Sequence, residues 1–149
     1  KWTSDLGKEI SLGVFSGRPV VLAMFFTHCE FACPIIVQDM KRIEEALPKE
    51  LKGEVDFVLV SLDPDRDSVE ALRSYRNKQG LSLENWALLR GPKDEVRELS
   101  ALLGINYRKD ERGQFAHSNL ITVLNPKGEI IHQKQGLNQS VEDTIKFLK

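Results

Sequence analysis

The sequence predicts an α/β fold in which a central, mixed and mostly parallel sheet is flanked by helices. Two observations support this prediction. Near-continuous apolar runs, typical of strands buried on both faces, alternate with amphipathic segments of helical period. Toward the C-terminus the pattern changes to two strand-like runs joined by a turn and followed by a helix. The chain has 149 residues, 41% of them apolar, which suits one domain over residues 1–149.

The first half of the chain alternates strands with helices. Apolar runs predict the strands, and apolar residues at intervals of three or four predict the helices. Asp67, with Glu70 three residues later, resembles a capping box that begins the second helix, and glycines are expected to end the second and third helices. In chain order, the predicted elements are a strand over 19–26, a helix over 34–47, a strand over 55–62, a helix over 67–80, a strand over 86–89 and a helix over 92–103.

The last part of the chain predicts a ββα unit. Two strand-like runs, 120–124 and 129–134, flank the turn sequence Asn-Pro-Lys-Gly at 125–128, so we expect an antiparallel hairpin. Ser140 is expected to cap a final helix over 141–148. A βαβαβ half followed by a ββα unit is the order of elements in the thioredoxin-like fold, which we therefore predict.

The charge and the termini limit the kinds of partner. Lys and Arg number 21 and Asp and Glu 22, giving a formal net charge of −1 without a block of like charges, so neither nucleic acid nor an acidic lipid surface is expected. No run approaches the roughly 18 apolar residues of a membrane-spanning helix. Because the chain starts at Lys1, we expect a signal peptide or membrane anchor before it, which would be its only contact with a membrane.

Residues 27–34, Thr-His-Cys-Glu-Phe-Ala-Cys-Pro, contain both cysteines and lie between the first predicted strand and helix. Pro34 suits the start of a helix, so Cys33 is expected at the helix N-terminus. The free N–H groups and the positive dipole end there stabilise a thiolate, which is both the better nucleophile and the ligand for soft metals. Cys29, about one turn earlier, can bring its sulfur to the same point.

The spacing of the cysteines leaves a structural disulfide, a reactive dithiol and a metal-binding pair as alternatives. Dithiol oxidoreductases usually have two residues between their cysteines, whereas three residues give two sulfurs more room to flank an ion. Two thiolates suit linear Cu(I), and an added imidazole makes a trigonal site that also accepts Cu(II). The spacing therefore favours metal binding without excluding redox chemistry.

Among the three histidines, His117 is the predicted third ligand. It precedes the strand over 120–124, which by fold order neighbours the first strand near the end that leads to the cysteines. His28 directly precedes Cys29, and adjacent side chains in an extended segment point apart, so we interpret it as a surface or supporting group. His132 lies in the middle of a predicted strand and is interpreted as an ordinary sheet residue.

Several short segments distributed along the chain are more specific together than any one alone. They are Gly17-Arg18-Pro19-Val20, Thr27-His28-Cys29, Cys33-Pro34, Ser61-Leu62-Asp63-Pro64-Asp65-Arg66-Asp67, His117-Ser118 and Asn125-Pro126-Lys127-Gly128. Through these segments, which cover nearly the whole domain, the chain resembles the Sco/SenC copper chaperones of cytochrome c oxidase assembly. It departs from that family at residues 30–32, Glu-Phe-Ala, because many relatives have Pro-Asp after the first cysteine.

The resemblance implies a ligand set and partners. Cys29, Cys33 and His117 would bind one copper ion per chain, as Cu(I) or Cu(II), and Asp63 would lie close enough to orient a ligand or favour the cation. The copper-binding subunit of cytochrome c oxidase would receive the metal, and another copper carrier would donate it. The family is usually tethered to a membrane and faces the periplasm or the intermembrane space, so an extracytoplasmic location at the inner membrane is expected.

Three functions are compatible with the sequence. The first is a metallochaperone that delivers copper to the dinuclear copper site of the oxidase subunit. The second is a thiol-disulfide oxidoreductase in which Cys29 and Cys33 are the catalytic residues, reducing the cysteines of that subunit or acting in redox signalling. The third is a peroxidase, suggested by Thr27 two residues before Cys29, and it ranks last because His117 has no clear role in it.

Overall fold

The structure is a computed structural model that describes residues 2–27, 32–105, 107–109, 111, 115–117, 120–135 and 142–148, with only the backbone at 32–34, 109, 115–117 and 143. Short 3-10 turns lie at Leu12–Phe15 and Lys49–Leu51. In chain order the strands and helices are β1 (Trp2–Ser4), β2 (Glu9–Ile10), β3 (Val20–Phe25), α1 (Ala32–Ala46), β4 (Asp56–Ser61), α2 (Val69–Gln79), β5 (Trp86–Arg90), α3 (Lys93–Leu103), β6 (Tyr107–Lys109), β7 (Phe115–His117), β8 (Leu120–Leu124), β9 (Ile130–Gln135) and α4 (Glu142–Leu148).

One mixed sheet organises the molecule, with strand order β2-β1-β5-β4-β3-β8-β9. The central strands β3, β4 and β5 are parallel to one another. Antiparallel strands complete both sides, with β1 against β5 and β8 against β3. Strands β6 and β7 form a separate two-stranded antiparallel sheet. The sheet is therefore mixed, as predicted, but the expectation of a mostly parallel sheet is wrong, because among the described strands only the two central pairs are parallel and the other four pairs are antiparallel.

Helices cover both faces of the sheet, and alternate residues of β3 point into two different cores. Val21, Ala23 and Phe25 belong to the cluster under α1, α2 and α4. The intervening residues of β3 belong to the cluster under α3. All six residues of β3 are buried, which confirms the prediction of a strand covered on both faces. Each fully buried large apolar side chain contributes about 1.5–3 kcal/mol to folding.

Most predicted boundaries agree with the structure to within two residues. The hairpin of β8 and β9 closes as predicted, since the Asn125 N–H donates to the Glu129 carbonyl at 2.9 Å and the Gly128 N–H donates to the Asn125 carbonyl at 2.8 Å. Gly80 and Gly104 end α2 and α3 in the left-handed conformation, at φ of 67° and 74°. Glycine suits both positions because it adopts positive φ without a steric penalty.

Two predicted helix starts are corrected by the structure. The prediction that Asp67 begins α2 is wrong, because Ser68 is the N-cap and its hydroxyl accepts the Ala71 N–H at 3.1 Å. Helix α1 begins at Ala32, two residues before the predicted start at Pro34. The predicted cap of α4, Ser140, lies outside the described residues.

A buried ion pair fastens the N-terminal strand to the body of the fold. Asp5 accepts two hydrogen bonds from Arg76, at 2.6 Å from Nε and 2.9 Å from Nη2, and the side chains are 1% and 4% exposed. The same guanidinium donates to the carbonyls of Ser82 and Trp86 at 2.6 and 2.7 Å. Because β1, α2 and β5 all meet at this arginine, it connects three elements that are distant in sequence.

Candidate metal centre

The carboxyl ends of β3 and β4 lie side by side at one edge of the sheet. Their parallel register runs from Val20 opposite Asp56 to Phe25 opposite Ser61. The Leu62 N–H donates to the Phe25 carbonyl at 2.7 Å, so the segments that follow β3 and β4 leave the sheet side by side. We call this the carboxyl edge, defined by Phe25 and Ser61. In parallel sheets of this type, binding sites form at this end of the strands.

The cysteine segment connects the carboxyl edge to α1. Cys33 lies in the first turn of α1, and its backbone is therefore at the helix N-terminus, as predicted. Cys29 and His28 fall outside the described residues. The distance between the two sulfurs therefore stays a prediction.

His117 ends a short strand, β7, that the sequence did not predict. It is the last residue of β7 and pairs with Tyr107 of β6. Strand β8 begins three residues later at Leu120 and runs antiparallel to β3, with Ala23 opposite Ile121. The start of β8 is therefore beside the end of β3. Three residues span at most about 11 Å, so the backbone of His117 is held within that distance of Leu120.

Asp67 anchors the start of the cysteine segment. Its carboxylate is fully buried and accepts hydrogen bonds from two residues at the carboxyl edge. Thr27 donates two of them, from its backbone N–H at 3.1 Å and its hydroxyl at 2.5 Å, and the Ser61 hydroxyl donates another at 2.6 Å. Hydrogen bonds to an ionised carboxylate are stronger than those between neutral groups. Because Thr27 is two residues before Cys29, Asp67 fixes the point from which the cysteine segment leaves the sheet.

The loop between β4 and α2 holds Asp67 in place. The Asp67 N–H donates to the Asp63 carbonyl at 2.8 Å, and the Asp63 N–H donates to the Ser61 hydroxyl at 3.0 Å. Arg90, at the end of β5, donates from Nε to the Asp67 carbonyl at 2.8 Å and from Nη2 to the Pro64 carbonyl at 2.7 Å. The ends of three parallel strands thus support the loop.

Asp63, the acidic residue that the resemblance placed near the copper, is 1% exposed. Its carboxylate is paired with Nε of Arg66. In the described residues it is thus Asp67, and not Asp63, whose carboxylate reaches the segment that leads to Cys29. This contact has no local sequence signal, since Thr27 and Asp67 lie 40 residues apart.

His132 lies away from the carboxyl edge, in the last strand of the main sheet. His132 lies on β9 opposite Val123, stacks on Phe147 with ring centroids 4.5 Å apart, and has Nε2 3.4 Å from the Thr144 hydroxyl. It is therefore a sheet residue, as predicted. Among the residues that the structure describes, no three His, Cys, Asp or Glu side chains are grouped to hold a metal ion. The predicted ligand set includes Cys29, which lies outside them.

No helix within the described ranges has the length and apolar character needed to cross a bilayer.

Comparison with known sequences identifies the family. The sequence model of the SCO1/SenC family matches residues 1–148. The SCO1 protein homolog of Bacillus subtilis is 26% identical over 142 residues, which cover 93% of this chain and 73% of that protein. The mitochondrial SCO2 homolog of Danio rerio is 30% identical over 123 residues, 78% of this chain and 43% of that protein. The chain thus spans less than half of this mitochondrial relative.

Solved structures show the same fold. A SCO1/SenC family lipoprotein from Bacillus anthracis matches with a TM-score of 0.89 and 28% identity, covering 99% of this chain and 89% of that one. Arabidopsis thaliana ScoI, solved with copper bound, matches with a TM-score of 0.83 and 24% identity, covering 98% and 90%. Because the family model matches all but the last residue and the fold is shared over the full length, this chain belongs to the SCO1/SenC family and has its thioredoxin-like fold.

Proposed function

We propose that this chain is a copper metallochaperone. Cys29, Cys33 and His117 bind one copper ion and pass it to the dinuclear copper site of a cytochrome c oxidase subunit. Membership of the SCO1/SenC family supports this function, as do the copper-bound structures of the Arabidopsis thaliana and yeast relatives. The observation in this chain that carries the proposal is the antiparallel pairing of β8 with β3, because His117 precedes β8 by three residues and β3 leads into the cysteine segment.

The donor set suits copper in both oxidation states. Thiolates from Cys29 and Cys33 supply the two soft ligands that Cu(I) prefers, and the imidazole of His117 completes a site that also accepts Cu(II). Transfer proceeds by ligand exchange, in which a thiolate of the acceptor replaces one ligand at a time. We further propose that Asp63, buried beside the carboxyl edge, supports the site electrostatically through its pairing with Arg66.

The location and partners follow from the same proposal. The protein acts outside the cytoplasm, held at the membrane by a segment that precedes residue 1, and another copper carrier supplies its metal. The Bacillus anthracis relative is a lipoprotein, and several relatives are mitochondrial, which supports a membrane-associated, extracytoplasmic setting. BsSco, a relative of known structure, is a member of the Sco family of cytochrome c oxidase assembly proteins, which supports the oxidase as the target.

Native mass spectrometry after copper loading tests the ligand set. We expect one copper per chain in the wild type and loss of that copper in Cys29→Ala and Cys33→Ala. His117→Ala should lose affinity for Cu(II) and change its absorption spectrum, because the third ligand is gone. His132→Ala is the matched control and should retain both, since His132 lies on β9. A His117→Ala protein with the Cu(II) affinity and spectrum of the wild type would exclude His117 as a ligand.

A second candidate function is thiol-disulfide exchange. It is favoured by the relative BsSco, in which a disulfide switch was identified. One thiolate of the pair would attack a disulfide of the oxidase subunit, forming a mixed disulfide and releasing one thiolate. The other cysteine would then resolve it, so that the subunit gains two thiols and Cys29 and Cys33 become a disulfide. Measuring the reduction potential of the Cys29–Cys33 pair tests this role. A potential far more oxidising than that of the compartment would mean that the pair cannot act as a reductant there.

A further inference from the structure

A groove of about 560 Å³ lies next to the carboxyl edge, on the α3 side of the sheet. One wall is the loop that follows β4, from Leu62 to Asp65, another is α3, and the third is β6. None of these residues is a predicted copper ligand, and Asp63 is the one among them that we propose supports the site. The groove is therefore a surface directly beside the candidate copper site.

The residues that line the groove carry more positive than negative side chains. Its two acidic side chains are already paired, since Asp65 Oδ2 lies 2.8 Å from Nζ of Lys93 and the carboxylate of Asp63 is bound by the arginine three residues later. Arg97 and Arg108 also line the groove, both are exposed, and neither forms an ion pair within the described ranges. Two guanidinium groups are thus left to attract an anionic partner.

The lining between these charges is apolar and aromatic. Leu62 and Ile105 are buried at the base, and the half-buried ring of Tyr107 forms part of a wall. Arginine and tyrosine are enriched at protein–protein interfaces. A small inorganic anion would use only the guanidinium groups, whereas a peptide with carboxylates and apolar side chains would use the whole lining. The composition therefore favours a segment of a protein.

The walls of the groove are connected to the residues around the candidate copper site. Tyr107 is the register partner of His117 across β6 and β7. The Leu62–Asp65 wall continues into Asp67, which holds Thr27 at the start of the cysteine segment. A protein bound in the groove would therefore lie beside the ligands that it must reach for copper exchange.

From these observations we propose that the groove lined by Arg97 and Arg108 docks an acidic segment of the protein that accepts copper from this chain. The proposal rests on the proposed function, because it takes the acceptor to be the copper-binding subunit of cytochrome c oxidase. Opposite charges across such an interface mainly speed association and select the partner.

Binding of the metal-free chain to the soluble copper-binding domain of that subunit tests the proposal. In calorimetry at low salt, the double variant Arg97→Glu and Arg108→Glu should raise the Kd about 10- to 100-fold, since like charges now face each other. The difference in Kd between the double variant and the wild type should become smaller as salt is added, because salt screens exposed charges. Lys78→Glu is the matched control, because Lys78 is exposed on α2, outside the groove, and its Kd should stay within about twofold of the wild type.

Four outcomes would overturn the proposal. The double variant could bind the domain as tightly as the wild type, or Lys78→Glu could weaken binding equally, which would indicate only a general charge effect. Arg97 and Arg108 could instead be required for binding to vesicles of anionic phospholipid while binding to the domain is unchanged, which would make the groove a membrane contact. Inorganic phosphate should displace the domain no better than sodium chloride of equal ionic strength, and stronger competition would indicate a small-anion site.

Failure of docking and failure of the proposed function are distinguishable. Docking is measured without copper, whereas the function depends on the copper stoichiometry of the wild type. Circular dichroism and the Tm of the double variant show whether it is folded. If it is not, Arg97→Gln and Arg108→Gln remove the charges without reversing them, and a Kd equal to that of the wild type would overturn the proposal.

Discussion

Asp67 illustrates how one buried side chain determines the local geometry of a site. An ionised carboxylate in the interior is costly unless donors surround it, and here Thr27 and Ser61 supply three. Sequence reasoning assigned Asp67 to the start of α2 because aspartate and serine both suit a helix cap. Ser68 takes that position, and the carboxylate of Asp67 is bound by a residue 40 positions away. A tertiary contact of this kind has no local sequence signal.

Replacing Thr27 by valine should affect both stability and the copper site. The change keeps the shape of the side chain but removes the hydroxyl that donates to Asp67. We expect the free energy of unfolding to fall by about 1–3 kcal/mol, since a buried charged acceptor loses a donor. The Cu(II) absorption and electron paramagnetic resonance spectra should shift, because the cysteine segment starts from a less fixed position.

Thr122→Val is the matched control for this change. Thr122 is fully buried in β8, and its hydroxyl accepts a hydrogen bond from Gln133 Nε2 at 3.1 Å. Its loss should lower the free energy of unfolding and leave the copper spectra as in the wild type. If Thr27→Val also has wild-type spectra, the bond between Thr27 and Asp67 contributes to stability alone.

At the level of elements, the sequence predicts those that are long enough to show a period. Strands β3, β4, β5, β8 and β9 and the four helices were all found close to their expected positions. Strands β1, β2, β6 and β7 were missed because each has only two or three residues, too few for an alternation to be recognised. These short strands are stabilised by hydrogen bonding to a partner strand, as in the pairing of β1 with β5 and of β6 with β7.

The ion pair that holds the N-terminal strand should be important for stability. Asp5→Ala leaves the guanidinium of Arg76 buried beside two carbonyls without its carboxylate. We expect a loss of about 3–5 kcal/mol in the free energy of unfolding, measured in urea. Adding Arg76→Met should recover part of this loss because the unpaired charge is removed. Glu98→Ala, at an exposed position of α3, is the control and should change the free energy of unfolding by less than about 0.5 kcal/mol. If Asp5→Ala lowers the free energy of unfolding no more than Glu98→Ala does, the prediction is contradicted.

For the whole molecule, strand order explains why part of the candidate site could be predicted. The thioredoxin-like order brings β8 beside β3, so His117 could be assigned to the carboxyl edge from sequence alone. That His117 would lie in a two-stranded sheet with Tyr107 was not predicted. Asp110 and Gly113 between the strands favour a turn, but strands of three residues are too short to show an alternation. The positions of Cys29 and of the His117 imidazole relative to one another stay predictions.

The two sheets should differ in local stability. Strands β3 and β4 are paired on both sides and buried on both faces, whereas β6 and β7 pair only with each other among the described strands. Two-stranded ribbons are marginally stable on their own. We expect amide hydrogens of β6 and β7 to exchange much faster than those of β3 and β4. Copper loading should slow amide exchange in β7 if His117 binds the metal. Equal protection of both sheets before copper is added would contradict the predicted difference in local stability.

The ladder between β6 and β7 has only three residue pairs, ending with Tyr107 opposite His117. Successive side chains of a strand point to opposite sides, so a slip of one residue would turn the imidazole to the reverse side of the ribbon. A donor set of two sulfurs retains the monovalent ion, whereas the divalent ion needs the nitrogen as well. Under the proposed ligand set, the alignment of this short ribbon would thereby decide which valence of the metal the protein keeps and which it gives up.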